Sequence, residues 1–310
     1  MTGLGLLAVA AILLVAGAEL FTENAAGAAR HLRLTLFGVA FLLAGAEPEE
    51  LITAVVASAR HRPDLAAGDA IGANLTMLTL VLGLAALARP LPFGGRVRGY
   101  ALWSALAGGL AAVTIAGGRV GRGEGVLLLA AYLAGVAVLW WRERQPPSIG
   151  ELAEDDDESE AAKGRPAALA LALALAGIAV MVAGGWLAVA GAQRAVATLG
   201  LTDTAVGLTL LALATTAELF ALAWSAIRRD VPEVAIAGVV GSVAYNATAT
   251  LGAAAVTRPL AVTGMLAPAI AAAALPVALL ALAPRGRLTR PAGALLTAGY
   301  LVFLITELTH

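Results

Sequence analysis

The sequence predicts an all-α membrane protein: ten transmembrane helices arranged as two inverted five-helix repeats. Three observations predict it. The 310 residues are 60% hydrophobic and only 13% charged, with a mean hydropathy of +0.87, far from the roughly 45–50% apolar and 25% charged of soluble domains. Apolar runs near the about 20 residues needed to cross a bilayer recur along nearly the whole length. One long polar connector, RERQPPSIGELAEDDDESEAAKGRP, divides the chain with five such runs on either side.

The first run, 3–22, lies in MTGLGLLAVAAILLVAGAELF, which has no basic segment ahead of its apolar stretch and no small-residue cleavage site. It reads as a retained helix and not as a signal peptide. Runs at 34–59, 66–88, 99–117 and 124–141 complete a first half, 1–145. After an acidic linker at 146–165, runs at 166–191, 203–227, 232–256, 260–283 and 290–307 make a second half, 166–310. The acidic ELAEDDDESE stretch lacks the glycine spacing of an EF-hand and reads as a solvated linker. The 35 glycines allow helices to approach closely.

Basic residues set the orientation. With the amino terminus outside, the cytoplasmic connectors hold fourteen (Arg30, Arg33, Arg89, Arg96, Arg98, Arg142, Arg144, Lys163, Arg165, Arg228, Arg229, Arg285, Arg287 and Arg290). The opposite side holds six, namely Arg60, Arg62, Arg119, Arg122, Arg194 and Arg258. A cell-membrane protein with an outside amino terminus and a cytoplasmic linker follows.

Composition also excludes classes. The chain has no cysteine, which removes disulfides and thiolate metal sites. Its net charge of -1 offers no basic surface for nucleic acid. No phosphate-binding loop, zinc spacing or catalytic Ser/His arrangement stands out. The sequence therefore points to a transporter and not an enzyme, with no cofactor, whose partners are inorganic cations and the lipid bilayer.

The halves resemble each other. The segment from Ala16 to Asn74 can be laid over the one ending at Val243, so that Glu50 falls on Glu218, 168 positions later, and Gly72 on Gly241, 169 later. Five spans per copy is an odd number, so the second copy sits upside down relative to the first. Inverted repeats with polar residues near the midplane are a feature of secondary transporters.

The stretch LAGAEPEEL places Glu47, Glu49 and Glu50 inside an apolar run, and LATTAEL places Thr215 and Glu218 midway along another. A carboxylate at bilayer depth costs at least about 2.5–3.5 kcal/mol, so it needs a cavity, a partner or an ion. Glu47 and Glu50 are three apart and share a helix face, as do Thr215 and Glu218. Two such helices facing each other can cage a hard divalent cation. Pro48 removes a backbone donor, disrupts its helix and frees a carbonyl near Ala44. Ala217 stands where a proline would be in the second half, so this signal belongs to the first half alone. GDAIGANLTM and GVVGSVAYNATAT add neutral oxygen donors, Asn74, Ser242 and Asn246 foremost. Asp69 reads as lining a vestibule.

On these residues the chain resembles the cation/calcium exchanger superfamily, whose two inverted repeats typically read G-T-S-x-P-E-L followed by G-N-x-x-G-S-N. The matching stretches are GAEPEEL with GDAIGAN, and LATTAEL with GVVGSVAYN. The resemblance implies that Glu50 and Glu218 bind Ca2+, with Thr215, Ser242 and Asn246 at further ligand positions. The first half departs from the pattern: Ala46 and Glu47 replace the Thr and Ser, Glu49 takes the proline's slot, and Ala73 and Met77 replace later polar residues.

The family's hydroxyls form its Na+ sites, so their loss together with the added Glu47 favours H+ over Na+ as counter-ion. The reading is an antiporter exchanging Ca2+, or a similar divalent cation, by alternating access at Glu50, Glu218, Glu47, Thr215, Ser242, Asn246 and Asn74. Two other readings fit the same residues. One is a Na+/Ca2+ exchanger with altered first-repeat sites; the other is a non-transporting or channel-like protein that kept the fold.

Overall fold

The computed structural model describes residues 2–31, 47–143 and 166–309. The first part of the expected 34–59 helix and the acidic linker 146–165 lie outside the described residues.

The described elements are helices joined by short turns. In order they are α1 (Gly3–His31), α2 (Pro48–Ala59) and α3 (Pro63–Leu75), which runs through a π-helical turn (Thr76–Val81) into α4 (Leu82–Ala88). Then follow β1 (Leu91–Pro92), α5 (Gly95–Ile115), β2 (Arg119–Val120) and α6 (Arg122–Glu143). The second half begins with α7 (Ala167–Leu199). A helix broken into α8 (Asp203–Val206), a π turn (Gly207–Leu211), α9 (Ala212–Thr215) and α10 (Ala217–Arg228) comes next. The chain ends with α11 (Pro232–Tyr245), a π turn (Asn246–Thr250), α12 (Leu251–Thr257), β3 (Leu260–Ala261), α13 (Leu266–Leu282), β4 (Arg287–Leu288) and α14 (Arg290–Thr309).

Among the described residues six helices are long and apolar enough to cross a membrane, or seven if the pair Asp203–Thr215 and Ala217–Arg228, bent by 43°, is one span. The other three expected segments are α2 with its undescribed approach, the 21-residue α5, and α13, which at 17 residues is shorter than the expected 260–283. Residues 260 and 261 are strand instead, because their backbone pairs with β2. Conversely α1 and α7 run past the expected ends at 22 and 191, to His31 and Leu199. Alanine-rich sequence continues the helix there beyond the most apolar stretch.

Polarity is distributed inside out. Leu106 is 74% exposed and Val302 65%, whereas Glu47, Glu49, Glu50 and Asp69 are each 1% exposed. An apolar exterior around buried carboxylates is the distribution a bilayer imposes. The chain is a multi-pass membrane protein.

Close glycine contacts set the helix packing. A Cβ on Gly3 would lie 2.9 Å from the Gly191 carbonyl oxygen, and one on Gly17 3.0 Å from that of Gly177. Residue number rises along α1 as it falls along α7, so the two run antiparallel. Gly83 of α4 meets Gly293 of α14 in the same manner, and Gly252 of α12 meets Gly125 of α6. Gly83 and Gly252 are 169 positions apart, Gly125 and Gly293 168. The strand pairs show the same correspondence: β1 pairs antiparallel with β4 and β2 with β3, each pair drawn from both halves.

The three π turns share a local device. Leu82, Ala212 and Leu251 each donate their N–H to a carbonyl five residues back, and in each turn a threonine hydroxyl donates to a carbonyl four residues back. These are Thr79 to Leu75, Thr209 to Ala205 at 2.6 Å and Thr248 to Ala244 at 2.5 Å. The hydroxyls satisfy backbone oxygens at the register change, where water is scarce.

Candidate cation site

Four helix segments converge on the buried oxygens. Glu47 occupies the N-cap of α2 and its carbonyl accepts from the N–H groups of Glu50 at 3.2 Å and Leu51 at 3.3 Å. Pro48 is the first helical residue, where its missing N–H costs nothing. The proline thus starts a helix at the site; Ala44, the expected donor of a freed carbonyl, lies outside the described residues. Glu50 falls in the first turn of α2 and Glu218 in the first turn of α10, where the N-terminal end of a helix favours negative charge.

The second half also breaks its helix, and does so without the proline that signals the break in the first half. Thr216 has φ -77 and ψ 6 between α9 and α10. Its hydroxyl donates to the Ala212 carbonyl at 2.8 Å, and that of Thr215 is 3.1 Å from the same oxygen. A threonine hydroxyl returning to the carbonyl four residues back bends a helix, and Thr216 does so here.

The polar contacts join the halves. Asn246 Nδ2 donates to Glu47 Oε2 at 3.3 Å, while its Oδ1 accepts from Thr250 at 2.9 Å. Glu50 and Ser242 are further neighbours of Glu47, and Asp69 and Asn246 are neighbours of Glu50. Thr215 Oγ1 donates to Asp69 Oδ1 at 2.9 Å. Ser242 directs its hydroxyl to the Gly238 carbonyl at 3.0 Å. Asn74 is buried with Oδ1 unpartnered and lines, with Asn246, a cavity of about 10 Å³, the size of a single water site.

Of the expected ligands, the structure thus brings Glu47, Glu50, Ser242 and Asn246 together and sets Thr215 against Asp69. Glu218 is buried at 8% exposure with one unpartnered oxygen, and it makes no hydrogen bond to Glu50, both of whose oxygens also lack a partner. Among the described residues no three carboxylate or imidazole groups form a compact metal cage. The arrangement is two polar clusters, Glu47 with Glu50, Ser242 and Asn246, and Asp69 with Thr215.

Two groups were underweighted in the sequence reading. Asp69 is buried and takes the Thr215 hydroxyl of the other half, and the signal was its place in GDAIGAN, where the motif has asparagine. Tyr245 and Tyr132 form an aromatic wall beside the carboxylates, their rings edge to face with centroids 5.3 Å apart. Single tyrosines in apolar helices carry no periodicity or motif that marks them.

Fold and buried polar cluster are those of a multi-pass membrane protein. The chain belongs to the family described as sodium/calcium exchanger protein, whose model matches residues 2–141 and 169–309, within the cation/calcium exchanger superfamily. It is 28% identical over 253 residues to the protein named "Putative antiporter CaxA" of Alkalimonas amylolytica, covering 80% of this chain and 78% of that protein. Its fold is similar to the sodium-calcium exchanger NCX_Mj, with a TM-score of 0.63 and 23% identity over 98% of this chain and 97% of the other. It is also similar to an H+/Ca2+ exchanger, CAX, with a TM-score of 0.77 and 14% identity over 98% and 82%.

Proposed function

We propose that the protein is an antiporter that exchanges Ca2+, or a similar divalent cation, for H+, working by alternating access between two inverted five-helix halves. The observation that carries this reading is the trio Glu47, Glu50 and Asp69. Each is 1% exposed, each has at least one oxygen without a partner, and no Lys or Arg among the described residues pairs with them. Uncompensated carboxylates in a dry interior are costly, so a bound cation or protons must balance them. A divalent cation and protons compete for the same oxygens, and that competition is the exchange.

Glu50, Glu218, Glu47, Thr215, Ser242, Asn246 and Asn74 act as the ligand set in this reading, with Asp69 added. The half-helix starts at Pro48 and Ala217 support it, since broken helices at the midplane are how transporters present ions with oxygens. Glu47 in a hydroxyl's place supports H+ over Na+. The halves are 1–145 and 166–310, joined by a cytoplasmic linker at 146–165, with the amino terminus outside.

The test is 45Ca2+ flux into liposomes containing the purified protein, under an imposed pH or Na+ gradient. Uptake driven by the pH gradient is expected, and abolished by Glu50→Gln and by Glu218→Gln. Flux that follows Na+ alone would overturn the proton assignment, and flux indifferent to both gradients would overturn exchange.

A further inference from the structure

The turns at the two ends of the helix bundle repeat one another, and one difference between them marks a second site. Arg258 follows α12, Arg119 lies in β2, and Arg122 opens α6 while its Nε donates to the Val256 carbonyl at 3.1 Å. In the other set Arg89 follows α4, Arg287 lies in β4, and Arg290 opens α14 while its guanidinium donates to the Ala88 carbonyl at 3.2 Å. Arg89 and Arg258 are 169 positions apart; Arg119 and Arg287, like Arg122 and Arg290, are 168 apart.

The turn residues His61 and Asp230, also 169 apart, both have left-handed backbones, with φ 64 and φ 65. Asp230 pairs with Arg89. His61 brings no carboxylate, and among the described residues no ion pair reaches Arg119, Arg122 or Arg258. The charges beside His61 and Arg122 in sequence are engaged elsewhere. Arg62 pairs with Asp203 at 3.0 Å, Arg60 lies over the Trp186 ring at 4.6 Å from its centroid, and Glu124 accepts the Gly121 N–H at 2.5 Å.

The uncompensated arginines, with Ala59, Thr257 and Pro259, line an open cleft of about 600 Å³. It lies at a membrane boundary, because one crossing helix starts at Arg122 and another ends at Thr257. One turn into α6, Val126 and Leu127 are 57% and 52% exposed, a surface for acyl chains directly below the charge. Guanidinium forks match phosphate oxygens bidentately.

We propose that the cleft of Arg119, Arg122 and Arg258 holds the phosphate of an anionic phospholipid headgroup. Delipidated wild-type protein is offered phosphatidylglycerol, phosphatidylcholine or inorganic phosphate, and bound lipid is counted by native mass spectrometry. Phosphatidylglycerol is expected to be retained over phosphatidylcholine. In Arg119→Gln/Arg258→Gln, which leaves the Arg122 bond to Val256 intact, retention should fall by about tenfold. His61→Asp, which supplies the carboxylate that Asp230 supplies in the other set, should lower retention with all three arginines in place, and it decides alone if the double variant does not fold. Unchanged retention in the deciding variant overturns the site. Equal retention of the two lipids overturns it as well, and full displacement by millimolar inorganic phosphate would reassign the cleft to a soluble anion.

Discussion

Thr215 and Asp69 are 146 residues apart in the chain and 2.9 Å apart in the structure. The hydroxyl from the kinked helix of the second half thereby caps one oxygen of a first-half carboxylate and leaves Asp69 Oδ2 unpartnered. That geometry is why Asp69 is added to the proposed ligand set, and its replacement tests the addition. Asp69→Asn removes one negative charge at constant shape, and a charge-assisted contact is worth about 1.5–3 kcal/mol. Gradient-driven 45Ca2+ uptake is expected to fall by about tenfold or more, and Thr215→Val should cost less. Full uptake by Asp69→Asn would place the aspartate outside the site.

Glu47 accepts from Asn246 and neighbours Glu50 and Ser242. Restoring a hydroxyl with Glu47→Ser removes one of the carboxylates that a proton can balance. The expected outcome is a loss of pH-gradient-driven flux, with any residual Ca2+ movement shifted toward Na+ dependence. Flux measured across a series of external pH values reads the change; a profile identical to wild type would assign Glu47 no part in coupling.

Gly125 sits where a Cβ would meet the Gly252 carbonyl oxygen at 2.8 Å, whereas nothing lies within 4 Å of a Cβ on Gly109. Gly125→Val should therefore destabilise by about 1–3 kcal/mol through overpacking, while Gly109→Ala should be neutral or slightly stabilising. Thermal unfolding in detergent separates the two.

The Arg89–Asp230 pair is solvent-exposed, with side chains 46% and 72% accessible. Asp230→Asn is expected to change stability by no more than about 1 kcal/mol and less at high salt. A larger loss in the same unfolding assay would mean that the turn depends on the carboxylate itself.

The helix positions were legible in the sequence because hydropathy reports lipid exposure directly, and Leu106 and Val302 are outward-facing residues of that kind. Glu50 and Glu218 were legible because the chain carries them twice. The kink at Thr216 was not, since it goes with a threonine hydroxyl returning to the Ala212 carbonyl and leaves no glycine or proline in the sequence. The π turns were equally silent: a five-residue register is a property of backbone hydrogen bonds, and threonine in an apolar helix has many other uses. The pairing of Thr215 with Asp69 depends on how α3 lies against the broken helix, which no local pattern encodes.

The two strand pairs carry a mechanical meaning. Leu91 faces Leu288 and Arg119 faces Ala261, while Phe93 donates to Gly286 and Val262 to Gly118 at 2.8 and 3.1 Å. Every one of these stitches runs from one half of the polypeptide to the other. The halves are thus laced by backbone at two separate seams, so a motion of one half against the other must either carry these turns along or break their hydrogen bonds.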